Sequence, residues 1–175
     1  MIRTARKGDA ESIRKLAQQS WISTYSPYLG EDVVREFVAR SDFYSPGELH
    51  ARMEEETGIV LVAEDQEDGV IGYTYLNWDS EADYINPDEA DLRHIYLHPG
   101  HYGRGLGTRL LEAGIEQLPD RIHRLKVLFH PKNDGAREFY EAKGFTKVGL
   151  LDLDPTKVGM PSSNVDPPEM YVRDL

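Results

Sequence analysis

Three glycines within five residues, Gly103, Gly105 and Gly107, sit where an apolar run, Leu92 to Leu97, gives way to the helical spacing of Leu106, Leu110, Leu111, Ile115 and Leu118. A strand therefore turns into a helix across His98 to Leu111, in a segment that loses its side chains at alternate positions. Glycine there exposes backbone amides, and a helix start adds unpaired N–H groups and the positive end of the macrodipole. Such a turn can hold a pyrophosphate, helped by Arg104 or Arg109. It can equally be a tight bend that needs glycine only for its backbone. Two nucleotide-binding motifs are excluded: G-x-x-x-x-G-K-[ST] does not occur, and the third glycine of G-x-G-x-x-G would fall on Thr108.

The rest of the chain arranges itself around that junction. Ala10 to Ser20 places Ile13, Leu16 and Ala17 at helical intervals behind a capping Asp9, and Glu31 to Arg40 repeats the pattern with Val33, Val34, Phe37 and Val38 after Gly30. An aromatic connector, Trp21 to Tyr28, joins the two. Ile59–Glu64 and Val70–Trp78 read as a β-hairpin about the acidic turn Asp65–Gly69. Leu125–Phe129 is a further strand and Ala136–Lys143 a helix closed by Gly144. Lys147–Leu153 and Met170–Val172 are strands around a loop, Asp154 to Pro168, and Ile2–Ala5 is one more. This order predicts one domain over 1–175 of the mixed α/β (α+β) class: a mostly antiparallel central sheet of about six to seven strands with one parallel crossover, flanked by about four helices.

Composition narrows the chemistry. No cysteine is present, so disulfides, thiolate metal sites and a thiol nucleophile drop out, and any sulfur chemistry must arrive with a cofactor. Asp and Glu number 31 against 20 Lys and Arg, a net −11 that repels phosphate backbones and disfavours nucleic acid. The same charge leans toward polyamines or basic peptides over acidic acceptors, and it also suits a solvated, salt-tolerant surface. No apolar run is long enough to span a membrane, and the charged start is unlike a signal peptide; both predict a cytoplasmic protein with no membrane partner.

Two motifs in order carry a resemblance. Tyr102-Gly103-Arg104-Gly105-Leu106-Gly107 is similar to the [Q/R]-x-x-G-x-[G/A] turn of the GNAT superfamily of N-acetyltransferases, with Tyr102 replacing the Gln or Arg. Asn133, Ala136, Phe139, Tyr140, Gly144 and Phe145 match its N-x-x-A-x-x-F-Y-x-x-x-G-F segment, and Ser20 to Leu29 looks like the W-x-x-x-Y connector of many members. The element order resembles that family over nearly the whole chain. The resemblance implies acetyl-CoA as cofactor: pyrophosphate on the amides of Gly103, Arg104, Gly105, Leu106, Gly107 and Thr108 beside Tyr102, and pantetheine along Ile95, Tyr96 and Leu97 where two parallel strands splay. It also implies Tyr140 as the acid for the departing sulfur, Asn133 as a contact or water anchor, and allows a homodimer.

Transfer to an amine needs a neutral nucleophile. For a lysine-like amine of pKa near 10.4, deprotonation at pH 7 costs roughly 4 to 5 kcal/mol. Asp91 and His94 are the candidate bases. Strand alternation would put Asp91, Arg93, Ile95 and Leu97 on one face and His94 and Tyr96 on the other, unless a bulge intervenes. Asp91 can instead simply pair with Arg93, and His94 can be structural. His94, His98 and His101 around Pro99 and Gly100 offer no recognised zinc geometry, so no metal is expected. Trp21, Tyr25, Tyr28, Tyr73, Tyr75 and the loop near Met160 are the acceptor-binding candidates, by cation–π contact or otherwise as core aromatics. The expected activity is acetyl-CoA-dependent N-acetylation of a primary amine, on a small molecule or a protein N-terminus or lysine, by direct transfer. A module that senses acetyl-CoA without catalysis is the alternative.

Overall fold

The computed structural model describes residues 1–152 and 166–175. Most of the loop expected over 154–168, and the acceptor site expected near Met160, lie outside them. Seven strands form one sheet in the order β1-β2-β3-β4-β5-β7-β6: β1 Ile2–Thr4, β2 Gly58–Asp65, β3 Gly69–Asn77, β4 Glu89–Leu97, β5 Arg124–Phe129, β6 Thr146–Leu150 and β7 Glu169–Asp174. Every pairing is antiparallel except β4 with β5. A parallel pair cannot be closed by a tight turn, and here helix α4, Leu106–Ile115, makes the crossover.

Alternation along β2 and β3 sorts side chains to two layers. Val60, Val62, Tyr73 and Tyr75 pack with Ile13, Leu16 and Trp21 of α1 (Ala10–Leu29), Val34 and Val38 of α2 (Glu31–Val38), and Leu49 of α3 (Pro46–Glu54). On the other face Leu61, Ala63 and Ile71 meet Leu110 of α4, while Leu76, Leu92, Leu111 and Val127 join Tyr140 of α5, Asp134–Ala142. Gly72 is required by this packing. A Cβ there would stand 2.8 Å from Leu110 Cδ1 and 2.9 Å from Leu97 Cδ2.

Three expectations are corrected. The stretch Trp21 to Tyr28 is helix, because Trp21, Tyr25 and Tyr28 continue the periodic stripe begun by Ile13 and Ala17, so α1 runs unbroken to Leu29. Pro27 lies in the final turn, where it withholds one N–H from the helix ladder, and Gly30 closes that turn at φ 89° with its N–H on Ser26 O. Second, α3, which the sequence reading does not place, brings the α-helices among the described residues to five; it is capped by Ser45, whose hydroxyl accepts from Glu48 N, with Pro46 in the first turn. Third, β4 carries an extra residue: Tyr75 faces His94, but Leu76 already faces Leu92, so Arg93 has no partner on β3. Opposed residues share a face, which puts Asp91 (opposite Asn77), His94 and Tyr96 on the same side, and Leu92, Ile95 and Leu97 on the other. The expected grouping of Asp91 with Ile95 and Leu97 fails because of that bulge.

The bulge adjoins a fork. Pairing of β4 with β5 runs from Glu89 opposite Arg124 to Leu92 opposite Val127 and then stops, although β4 continues to Leu97 and β5 to Phe129. Below the fork the strands are pinned by Lys126 Nζ on Glu89 Oε2 at 2.6 Å, with Asn86 donating to the same carboxylate from N at 2.9 Å and Nδ2 at 3.0 Å. No helix among the described residues is long and apolar enough to cross a membrane.

Candidate active site

The fork opens into a cleft of about 750 Å³. One bank is Arg93 to Leu97 of β4. The other is Val127 to Phe129 of β5, the segment Lys132–Ala136, Phe139 and Tyr140 of α5, and Lys143 just after it. Ser20, Ser23, Thr24, Tyr25 and Tyr28 of α1 cross above, and Tyr102, Gly103, Gly105, Leu106, Gly107 and Thr108 close one end. Leu106, Gly107 and Thr108 are the first turn of α4, whose leading N–H groups have no helical partner. Gly103 and Gly105 adopt φ 74° and 72°, which L side chains rarely occupy, and a Cβ at either would meet nothing within 4 Å. No backbone bond is made by the amide N–H groups of Gly103 to Thr108 among the described residues. Gly107 is closely packed, a Cβ there lying 3.2 Å from Phe139 Cε2. The flanking arginines do not reach the cleft wall. Arg104 lines a separate depression with Lys15, His98 and His101, and Arg109 lines neither.

Tyr140 is held by stacked Phe129 at 5.4 Å and by Phe139 and Phe145, both at 5.2 Å between ring centroids. Its hydroxyl bonds no group among the described residues, and burial pushes the phenol above its usual 10, so it keeps its proton at neutral pH. Asn133 also lines the cleft, but its Oδ1 caps α5 by accepting from Ala136 N at 3.0 Å, leaving the Nδ2 donors for a ligand.

Of the acceptor-binding candidates, Tyr25 and Tyr28 reach the wall. Trp21, Tyr73 and Tyr75 stand behind it: Trp21 Nε1 donates to Tyr96 Oη at 3.0 Å, Tyr75 Oη donates to Glu55, and Tyr73 is fully buried against His94. Asp91 is also off the wall, 2% exposed, with Arg93 Nε 3.1 Å and Tyr84 Oη 3.2 Å from its Oδ2. Burial raises its carboxyl above the usual range, against the pull of Arg93 and Tyr84.

His94 does line the cleft, in surroundings that local sequence could not show. Its Nδ1 lies 3.4 Å from Arg52 Nη1 and 3.2 Å from Tyr73 Oη. Arg52 comes from α3, clamped between the rings of Tyr44 and Tyr75, each 5.3 Å away, and ion-paired with Glu48. The overlooked signal for α3 is Ser45-Pro46-Gly47-Glu48, a capping pattern with proline at the first helical position. Burial, then the charges of Arg52 and Arg93, hold the His94 ring well below 6.5. The unfolded chain therefore binds a proton there that the folded chain refuses. The stability conferred is complete above about pH 6.5 and falls by about 1.4 kcal/mol per pH unit as pH drops toward the folded pKa. Urea unfolding between about pH 5 and 7 is expected to show a steeper loss for the wild type than for His94→Gln. Equal slopes would refute this account of the ring.

A family model described as the acetyltransferase (GNAT) family matches residues 11–145. The chain belongs to that family. The seven-stranded, mostly antiparallel sheet is the one expected from the sequence for this fold. The chain is 29% identical over 152 residues to a mycothiol acetyltransferase of Streptomyces bingchenggensis, covering 82% of this chain and 46% of the relative. It is 25% identical over 141 residues to a spermidine N(1)-acetyltransferase of Thermoplasma acidophilum, covering 78% and 82%. The chain spans less than half the length of the curated relatives it matches first. The crystal structure of the PaiA N-acetyltransferase of T. acidophilum in complex with coenzyme A superposes with a TM-score of 0.76 at 21% identity, covering 100% of this chain and 98% of that one.

GNAT enzymes take their acetyl group from acetyl-CoA, and the residues of this chain fit that cofactor. The open amides of the Gly103–Thr108 turn suit a pyrophosphate without a cation. The recess is of the size that encloses ligands of this class. Tyr102, at the motif's Gln or Arg position, is 48% exposed at the rim, so its main chain borders the cradle whatever its side chain does.

Proposed function

We propose that this protein is an acetyl-CoA-dependent N-acetyltransferase that passes the acetyl group directly to a primary amine while donor and acceptor share the cleft. One observation carries the reading: a single recess is lined both by a glycine turn with unpaired amides and by a phenol, Tyr140, whose O–H bonds no group among the described residues. Family membership supports the same reaction class.

Each residue then has a role. The amides from Gly103 to Thr108 bind the pyrophosphate; Ile95, Tyr96 and Leu97 form the wall for the pantetheine arm, with Asn133 Nδ2 opposite. Bound acetyl-CoA supplies the acetyl group as a thioester and leaves as a thiol. Tyr140 holds a proton at Oη for the departing sulfur. Tyr25 and Tyr28 cover the cleft and exclude water from it. Asp91, closed in by Arg93 and Tyr84, does not meet the amine.

The test is release of free thiol from acetyl-CoA across a panel of primary amines, with equimolar N-acetylated product as the expected result. Coenzyme A binding without thiol release for any amine would overturn the enzyme reading and leave a module that only binds the cofactor.

A further inference from the structure

We propose that the acceptor is an amine with a carboxylate on the carbon that bears it, an α-amino acid, and that Arg93 and His94 recognise that carboxylate. The inference rests on the acetyl-transfer reading and names its substrate class.

The net charge of −11 leans toward cationic acceptors, but the cleft wall does not share that charge. Its charged side chains are Arg93, Lys132 and Lys143 against Asp134 alone. The glycine turn fixes the pyrophosphate end, so the acceptor meets the acetyl group at the opposite end of β4, about four residues or 13 Å back from Leu97, at Arg93 and His94. No carboxylate lines that end among the described residues. The acidic groups nearby are committed: Asp91 to Arg93 and Tyr84, Glu48 to Arg52, Glu55 to Tyr75 and Asn77. A polyamine's further ammonium groups would find the Arg93 cation there and no carboxylate among the described residues that line it.

Arg93 is the bulged residue, turned out of the β3–β4 ladder and onto the cleft bank. Asp91 occupies its Nε, while Nη1 and Nη2 carry no partner among the described residues. A guanidinium held at one corner presents the remaining N–H groups as a fork that matches a carboxylate. His94 adds a donor. Arginine can only donate, so the approach of Arg52 Nη1 makes His94 Nδ1 the acceptor and leaves the ring hydrogen on Nε2, which has no described partner. His94 then presents Nε2–H to the ligand and cannot take the amine's proton, which passes to water. Burial and the neighbouring cations keep the ring in that neutral form.

The experiment compares kcat/KM for L-amino acids with that for the amine obtained by decarboxylating each, and for spermidine, by thiol release from the full chain. It is paired with calorimetric titration of the preferred amino acid into protein saturated with coenzyme A. The best amino acid is expected to exceed its decarboxylated partner and spermidine by about 100-fold, mostly through KM. Arg93→Ala is expected to collapse that ratio toward unity and abolish the amino-acid heat, and Arg93→Lys, which keeps a cation beside Asp91 but loses the fork, to restore part of both. Equal or better use of spermidine or of the decarboxylated amines would overturn the proposal, as would an Arg93→Ala effect of equal size on every acceptor. If no amine releases thiol, the enzyme reading fails separately, and the titration still decides: amino-acid binding lost in Arg93→Ala upholds the site, and no binding overturns it.

Discussion

Replacing Tyr140 with phenylalanine is expected to slow thiol release by about 100- to 10,000-fold, the range a positioned general acid contributes. Coenzyme A should bind with undiminished affinity, because the ring stays packed against Phe129, Phe139 and Phe145 and the pyrophosphate cradle lies elsewhere. The change removes one oxygen that bonds nothing among the described residues, so the fold should be little affected and the loss can be read as chemistry. Single-turnover measurements with a fixed amine, alongside coenzyme A titration, separate the two quantities. Unchanged turnover would remove Tyr140 from the mechanism.

The second large effect is expected at the glycine cradle. Gly105 sits at the N-cap of α4 with φ 72°. A β-branched residue there meets a left-handed conformation that already costs an ordinary L residue about 1–2 kcal/mol. Gly105→Val should relieve that strain by swinging the turn, which carries the amides of Gly103 to Thr108 out of alignment. Coenzyme A is expected to bind at least about 10-fold more weakly, a change worth about 1.4 kcal/mol. Asparagine tolerates the same backbone, so Gly105→Asn should keep most of the affinity. Valine and asparagine variants that bind alike would show that the backbone at this position does not form the site.

What the sequence revealed follows the reach of each signal. The hairpin, the single parallel crossover and the glycine turn are local patterns of period and punctuation, and they reappear in the structure as β2–β3, the α4 crossover and the open amides. The cleft-lining positions of Tyr140, Asn133 and Tyr25 were legible because they are carried on motifs of fixed spacing. The surroundings of His94 were not. They depend on α3, which reaches it across 42 residues of chain, and on a bulge whose extra residue leaves no mark on composition. The parity of β4 was therefore misread at Asp91. The aromatic stretch Trp21 to Tyr28 reads locally as a connector, whereas packing of Trp21 and Tyr25 against the core carries α1 through it to Leu29. Trp21 and Tyr73 face the core for a related reason: period assigns a side chain to a face, and only the partner layer decides whether that face is core or opening.

The fork gives this sheet an edge in its middle. Strand edges usually lie at the margins, where their unsatisfied peptide groups invite other chains, and β1 and β6 are such margins here. Arg93 to Leu97 and the last residues of β5 offer the same hunger for partners inside a notch, bounded by one helix above and another alongside. An amide-bearing ligand laid in that notch would meet backbone of the kind that the margins of the sheet would offer to other chains instead.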